Sequence, residues 1–224
     1  MKHPDVFKGM KIIRSAVILK LISNALILLS ALITFLHGEL FKQGSEAGSK
    51  LTLFLLIAMP LGLILAVISV FRLLRGCKIA GSEDDNFNNA RFILFIALLV
   101  DIGAAALSFI SIPNSVLFGR LAVTASAVCE AISVFFIVRS ANRILAQNGE
   151  TQISSNTVRT IASVTSLLVL GALLQTVSAL LGNTGSFMML LSLIGTVFGL
   201  ISTVIYCIYL IRAVKALASV NNPA

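Results

Sequence analysis

The sequence predicts an all-α membrane protein, a bundle of six transmembrane helices, and three observations carry that prediction. Of its 224 residues 58% are hydrophobic and only 12% charged, whereas a soluble domain carries about 25% charge. Six apolar runs appear, at roughly 12–36, 51–71, 92–111, 116–138, 160–181 and 187–211, each close to the ~20 residues an α-helix needs to cross ~30 Å of hydrocarbon. The runs are continuous, unlike the ~10-residue alternating segments of a transmembrane barrel. The connections expected between them, 37–50, 76–89, 111–115, 140–156 and 182–186, leave no room for an extramembrane domain. One transmembrane domain therefore accounts for residues 1–224.

The first run follows Lys2, Lys8, Lys11 and Arg14 and has the charge order of a secretory signal. It is longer than a signal's apolar core and ends at His37-Gly38-Glu39 without a small-residue cleavage site, so it is expected to be retained as a span. Lys20 interrupts it. The second run contains Pro60, which removes a backbone donor, and then Gly62, a combination that favours a kink. The third and fourth form a hairpin between Arg91 and Arg143 around the turn Ile112-Pro113-Asn114, and each holds one carboxylate near its middle, Asp101 and Glu130. The fifth carries Gly171, Gln175 and Ser178 along one face, with Gln175 placed for an interhelical hydrogen bond. The sixth has a stripe at Ser192, Gly195, Gly199, Ser202 and Tyr206, spaced three and four apart. Its Gly195-x-x-x-Gly199 step predicts close helix packing within the bundle, with homodimerisation or a water-lined path as the alternatives.

Basic residues divide unequally between the two ends of these runs. Lys2, Lys8, Lys11, Arg14, Arg72, Arg75, Lys78, Arg91, Arg139, Arg143, Arg159, Arg212 and Lys215 share one end, against Lys42, Lys50 and Arg120 at the other. By the positive-inside rule both termini are expected in the cytoplasm. The chain also divides into three hairpins. Lys11, Arg91 and Arg159 open the odd-numbered helices, each followed twelve residues later by a small residue, Ser23, Gly103 or Gly171. Arg72, Arg139 and Arg212 close the even-numbered ones. Three diverged copies in the same orientation favour helices around a shared axis, unlike inverted transporter repeats. Mitochondrial carriers also comprise three hairpins, but their P-x-[DE]-x-x-[KR] signature is missing at the end of every odd helix here, and the sequence is assigned to no family.

The candidate intramembrane polar site follows from depth. Lys20 lies nine residues beyond Lys11, Asp101 ten beyond Arg91 and Glu130 nine before Arg139, which places all three about 14 Å from the basic boundary. Asn24 is one turn above Lys20, and Ser126 and Ser133 flank Glu130. A carboxylate in hydrocarbon costs at least ~2.5 kcal/mol, so neither acid belongs against lipid. Two readings are open: a buried ion pair that fixes helix register, with the second carboxylate protonated, or a proton or cation site. The polar face around Glu130 marks it as the surplus carboxylate.

Other chemistries find little support. The net charge of +8 sits at the ends of apolar runs, where it reports orientation, so no nucleic acid partner is expected. Cys77, Cys129 and Cys207 have neither disulfide nor metal spacing. No catalytic residue, metal site or cofactor is assigned: H-E-x-x-H, G-x-S-x-G and glycine-rich phosphate loops are missing, and His3 and His37 fall near opposite faces. Glu83-Asp84-Asp85 lacks the alternating ligands of a calcium loop and reads as a solvated acidic turn. The expected partners are the lipid bilayer and a homo-oligomer or partner membrane subunit. The expected setting is a cell membrane, the inner one if bacterial. Two function classes remain: a small transporter or channel, or the membrane subunit of one, and a non-catalytic protein that anchors or assembles partners through its helix faces.

Overall fold

The computed structural model describes residues 3–40, 46–108, 115–148, 151–181 and 186–221. They form six helices, α1 (Pro4–Leu40), α2 (Glu46–Ala80), α3 (Asp85–Ser108), α4 (Ser115–Gln147), α5 (Thr151–Leu180) and α6 (Ser186–Asn221). All six are long and apolar enough to cross a membrane. The Ile112-Pro113-Asn114 turn lies outside the described residues, as do Lys42 and the side chains of Lys50 and Arg120. α2 continues through Pro60 as a single helix.

Every helix runs roughly two to three turns past its apolar run at the basic end. The expected connections 76–89 and 140–156 are correspondingly mostly helical. Hydropathy marks only the lipid-facing part of a helix. The extensions are polar outside, but they bury Val6, Met10, Ala80, Phe87, Leu145 and Leu217 against one another. Tertiary packing of an apolar face, which a membrane scan does not seek, holds these turns in helical form.

Neighbours in sequence are neighbours in space, and α6 returns to α1, so the six helices close into a ring. Contact is tightest within α1/α2, α3/α4 and α5/α6, the arrangement expected of three hairpins about a shared axis. The α2/α3 seam is the thinnest in the ring. Positions such as Leu56 and Phe92, 70% and 66% exposed, form the lipid-facing surface of an integral membrane protein.

The core is not centred in the bundle. On α1, α3 and α4 every buried member lies between the basic end and the level of Lys20, Asp101 and Glu130. Beyond that level the buried side chains include Ser23, Ser30, Thr176 and Ser178. The basic end is therefore a dense apolar plug, and the buried side chains of the other half are more polar.

The acidic turn is only partly solvated: Glu83 and Asp85 are exposed, as expected, but Asp84 is buried at the edge of that plug. Glu83 Oε1 accepts the backbone N–H groups of Asp5 at 2.7 Å and Val6 at 3.3 Å, capping the start of α1. Its Oε2 lies 2.9 Å from His3 Nδ1. Asp84 is 5% exposed and caps α3 by accepting from Asn86 N at 2.9 Å. Arg143 Nη2 of α4 stands 3.0 Å from Asp84 Oδ2, an electrostatic contact and not an aligned hydrogen bond. Three helix ends are thus tied by two carboxylates.

Candidate functional site

The level predicted from helix register is where the polar side chains meet. Lys20 of α1 donates directly to Glu130 Oε1 of α4, an ion pair joining the first hairpin to the second. One turn further, Asn24 Nδ2 donates to Thr203 Oγ1 of α6 at 3.0 Å, joining the first to the third. Tyr209 of α6 donates to the Val138 carbonyl of α4 at 3.2 Å, closing the circuit. Each bond replaces water that a polar group in hydrocarbon does not have.

Asp101 is placed differently. It interacts with the Ser126 hydroxyl across the α3/α4 contact and feels the charge of Lys20. No basic side chain among the described residues lies within ion-pair distance of it. It is exposed, whereas Lys20 and Glu130 are half-buried. The expectation that Glu130 is the surplus carboxylate is therefore reversed. Ser126 and Ser133, which suggested it, are engaged elsewhere: Ser126 by Asp101, and Ser133 by the carbonyls of Cys129 and Glu130 on its own helix.

Lys20, Asn24, Asp101 and Glu130 all line one cavity of about 220 Å³ between α1, α2, α3 and α4. That is room for several waters, since one needs about 10–15 Å³ by a comparable measure. Ile27, Val70 and Leu98 supply part of its apolar wall. A second cavity of about 20 Å³ lies deeper on the axis and shares Lys20 and Glu130 with the first. Val17, Leu73, Leu94, Ile137, Val164 and Tyr206, one from each helix, surround it. Tyr206 is 5% exposed and its hydroxyl has no hydrogen-bond partner among the described residues. The volume is that of about one water. Beneath it the apolar plug begins.

The packing residues divide. Gly171 and Gly195 are in mutual contact at the α5/α6 crossing: a Cβ on Gly195 falls 2.6 Å from the Gly171 oxygen, and one on Gly171 falls 2.7 Å from the Gly195 oxygen. Gly199 is different, because a Cβ there meets nothing within 4 Å. Both glycines of the step lie near Gly171, whose Cβ position is 3.4 Å from the Gly199 nitrogen, but only at Gly195 would a side chain collide with α5. Gln175 donates to Thr196 at 3.3 Å, Ser178 to the Met188 carbonyl at 2.6 Å and Ser202 to the Val164 carbonyl at 2.9 Å, all between α5 and α6. Sequence reasoning missed the close pair Gly9 and Gly76, where a Cβ on Gly9 falls 2.6 Å from the Gly76 oxygen. Both lie in the basic flanks, outside the apolar runs where small-residue spacing was sought. In the second hairpin a Cβ on Gly103 meets nothing within 4 Å, so this glycine, unlike Gly171, is not at a backbone contact.

Fold and surface define the class: a multi-pass integral membrane protein of six helices. No family model, curated protein or solved structure matches the chain. Three free cysteines are present, and no metal-binding group of histidine, cysteine and acidic residues occurs among the described residues.

Proposed function

We propose that the protein is a small membrane transporter or channel, or the membrane subunit of one, whose site is the cavity lined by Lys20, Asn24, Asp101 and Glu130. The observation that carries this reading is the unequal use of the two carboxylates. Glu130 is neutralised by Lys20, while Asp101 stands in the same cavity without an ion-pair partner, which leaves a formal charge of minus one. A monovalent cation or a proton is the complement of that charge. The plug on the basic side supports a state closed toward that face, one of the states a carrier's cycle requires. With the basic end in the cytoplasm, as the positive-inside rule directs, the cavity opens away from the cytoplasm and both termini are cytoplasmic.

The test is charge-selective access. In a full-length chain with Cys77, Cys129 and Cys207 replaced, Ile27→Cys places one thiol in the cavity wall. In sealed vesicles it is expected to react with membrane-impermeant thiol reagents only from the face opposite the basic end. A cationic reagent should react roughly tenfold or more faster than an anionic one, because a cleft of one charge concentrates counter-ions. Asp101→Asn is expected to abolish that preference. Silence from both faces would mean a dry, paired cluster and favour the anchoring role.

A further inference from the structure

The thin α2/α3 seam has a charge at its lip. The two helices are joined at the basic end by the turn 81–84 and share less contact than any other neighbours in the ring. Asp101 of α3 lines the cavity that α2 walls with Ala66, Ser69 and Val70, and so stands beside this seam; it is exposed at mid-membrane depth, and its sequence neighbours Leu99 and Ile102 are 53% and 57% exposed. A lone carboxylate cannot rest against lipid chains, so what crosses the seam there is cationic or aqueous. We propose that the seam is a lateral portal through which an amphiphilic organic monocation reaches Asp101 from the membrane. This rests on the cation site proposed above and adds the class of cargo.

The cavity behind the seam selects that class. A hard inorganic cation replaces its hydration shell with about six oxygen ligands. Here Ser23 and Ser69 are 0% and 1% exposed, with their hydroxyls turned to the Gly62 and Ala66 carbonyls at 2.7 and 2.9 Å, so their oxygens are withdrawn from the space. Asn24 is held by Thr203. Much of the remaining wall is apolar, with Ile27, Ala66, Val70, Leu73 and Leu98 facing the space. An alkylated ammonium with an aromatic or aliphatic body fits such a wall. It gives up little hydration, sets its charge against Asp101 and buries its body at about 25 cal/mol per Å². Cargo of this kind already partitions into the membrane, where an opening between helices meets it directly.

The chain contains no tryptophan, so a single Leu98→Trp reports on the portal. Reconstituted in vesicles containing brominated phospholipid, its emission is expected to be quenched nearly as much as that of Leu99→Trp on the lipid face. The buried Leu94→Trp should be much less quenched. If Leu98→Trp folds poorly, Val70→Trp reports the opposite lip. With the unmodified chain, radiolabelled benzyltrimethylammonium is expected to bind about tenfold more tightly than tetramethylammonium, and Asp101→Asn to lose about tenfold, a factor equal to ~1.4 kcal/mol. The neutral isostere neopentylbenzene should not compete. An unquenched portal tryptophan, or equal binding of the two cations, would overturn the inference while leaving the charge preference of Ile27→Cys in place. Loss of that preference as well would overturn the cation site itself.

Discussion

Lys20→Met is expected to produce one of the two largest losses of stability available in this protein. Its ammonium is the sole cation of the polar level among the described residues, and it pairs with Glu130 while lying within electrostatic reach of Asp101. Removing it leaves two carboxylates in a poorly solvated bundle. Breaking one side of a buried pair typically costs about 3–5 kcal/mol; the half-burial of this pair places the expected loss toward the lower end. Thermal unfolding in detergent measures it. Because the direct partner is Glu130, combining Lys20→Met with Glu130→Gln should restore more of the lost stability than combining it with Asp101→Asn. A harmless single substitution would show that the pair does not hold α1 to α4.

Gly195→Leu is expected to be comparably damaging for a different reason. Its new Cβ would lie 2.6 Å from the Gly171 oxygen and 2.9 Å from Gln175 Cγ. The first of these is backbone and cannot rotate aside, so α5 and α6 must separate. That also strains the Gln175–Thr196 and Ser178–Met188 hydrogen bonds. Overpacking of this sort costs about 1–3 kcal/mol or more. Gly199→Leu, four residues along, should be mild because nothing stands within 4 Å of its Cβ position. Melting temperatures of the two variants, measured side by side, decide it. Equal sensitivity would mean that the crossing is not where the backbone contact places it.

The contrast between those glycines shows what was legible in the sequence. Helix number, the common depth of Lys20, Asp101 and Glu130, and the one-sided basic residues follow from periodicity and rise per residue, which are local properties. The small-residue stripe on α6 was equally plain. Which of its members touches α5 depends on the crossing point, and spacing does not encode that. The same limit explains the reversal of the two acids. The polar neighbours of Glu130 suggested a hydrated site, yet Ser126 reaches across to Asp101 and Ser133 bonds its own helix. A helical wheel gives the face a residue occupies and not the neighbour that faces it. The turns beyond each apolar run were hidden because their burial is against protein, as at Phe87 and Leu217, and hydropathy records no membrane there. The acidic turn looked solvated for want of any local signal that Glu83 caps a helix 78 residues away.

The division of labour between the two carboxylates is the central claim, and the unfolding midpoints of Asp101→Asn and Glu130→Gln test it most directly. Glu130→Gln removes a charge-assisted hydrogen bond to Lys20 and is expected to cost about 1.5–3 kcal/mol. Asp101→Asn removes a carboxylate with no ion-pair partner, keeps a polar group for Ser126, and is expected to leave the midpoint unchanged or raised. The account predicts that order in detergent and in lipid alike. Equal midpoints, or a larger loss for Asp101→Asn, would contradict it.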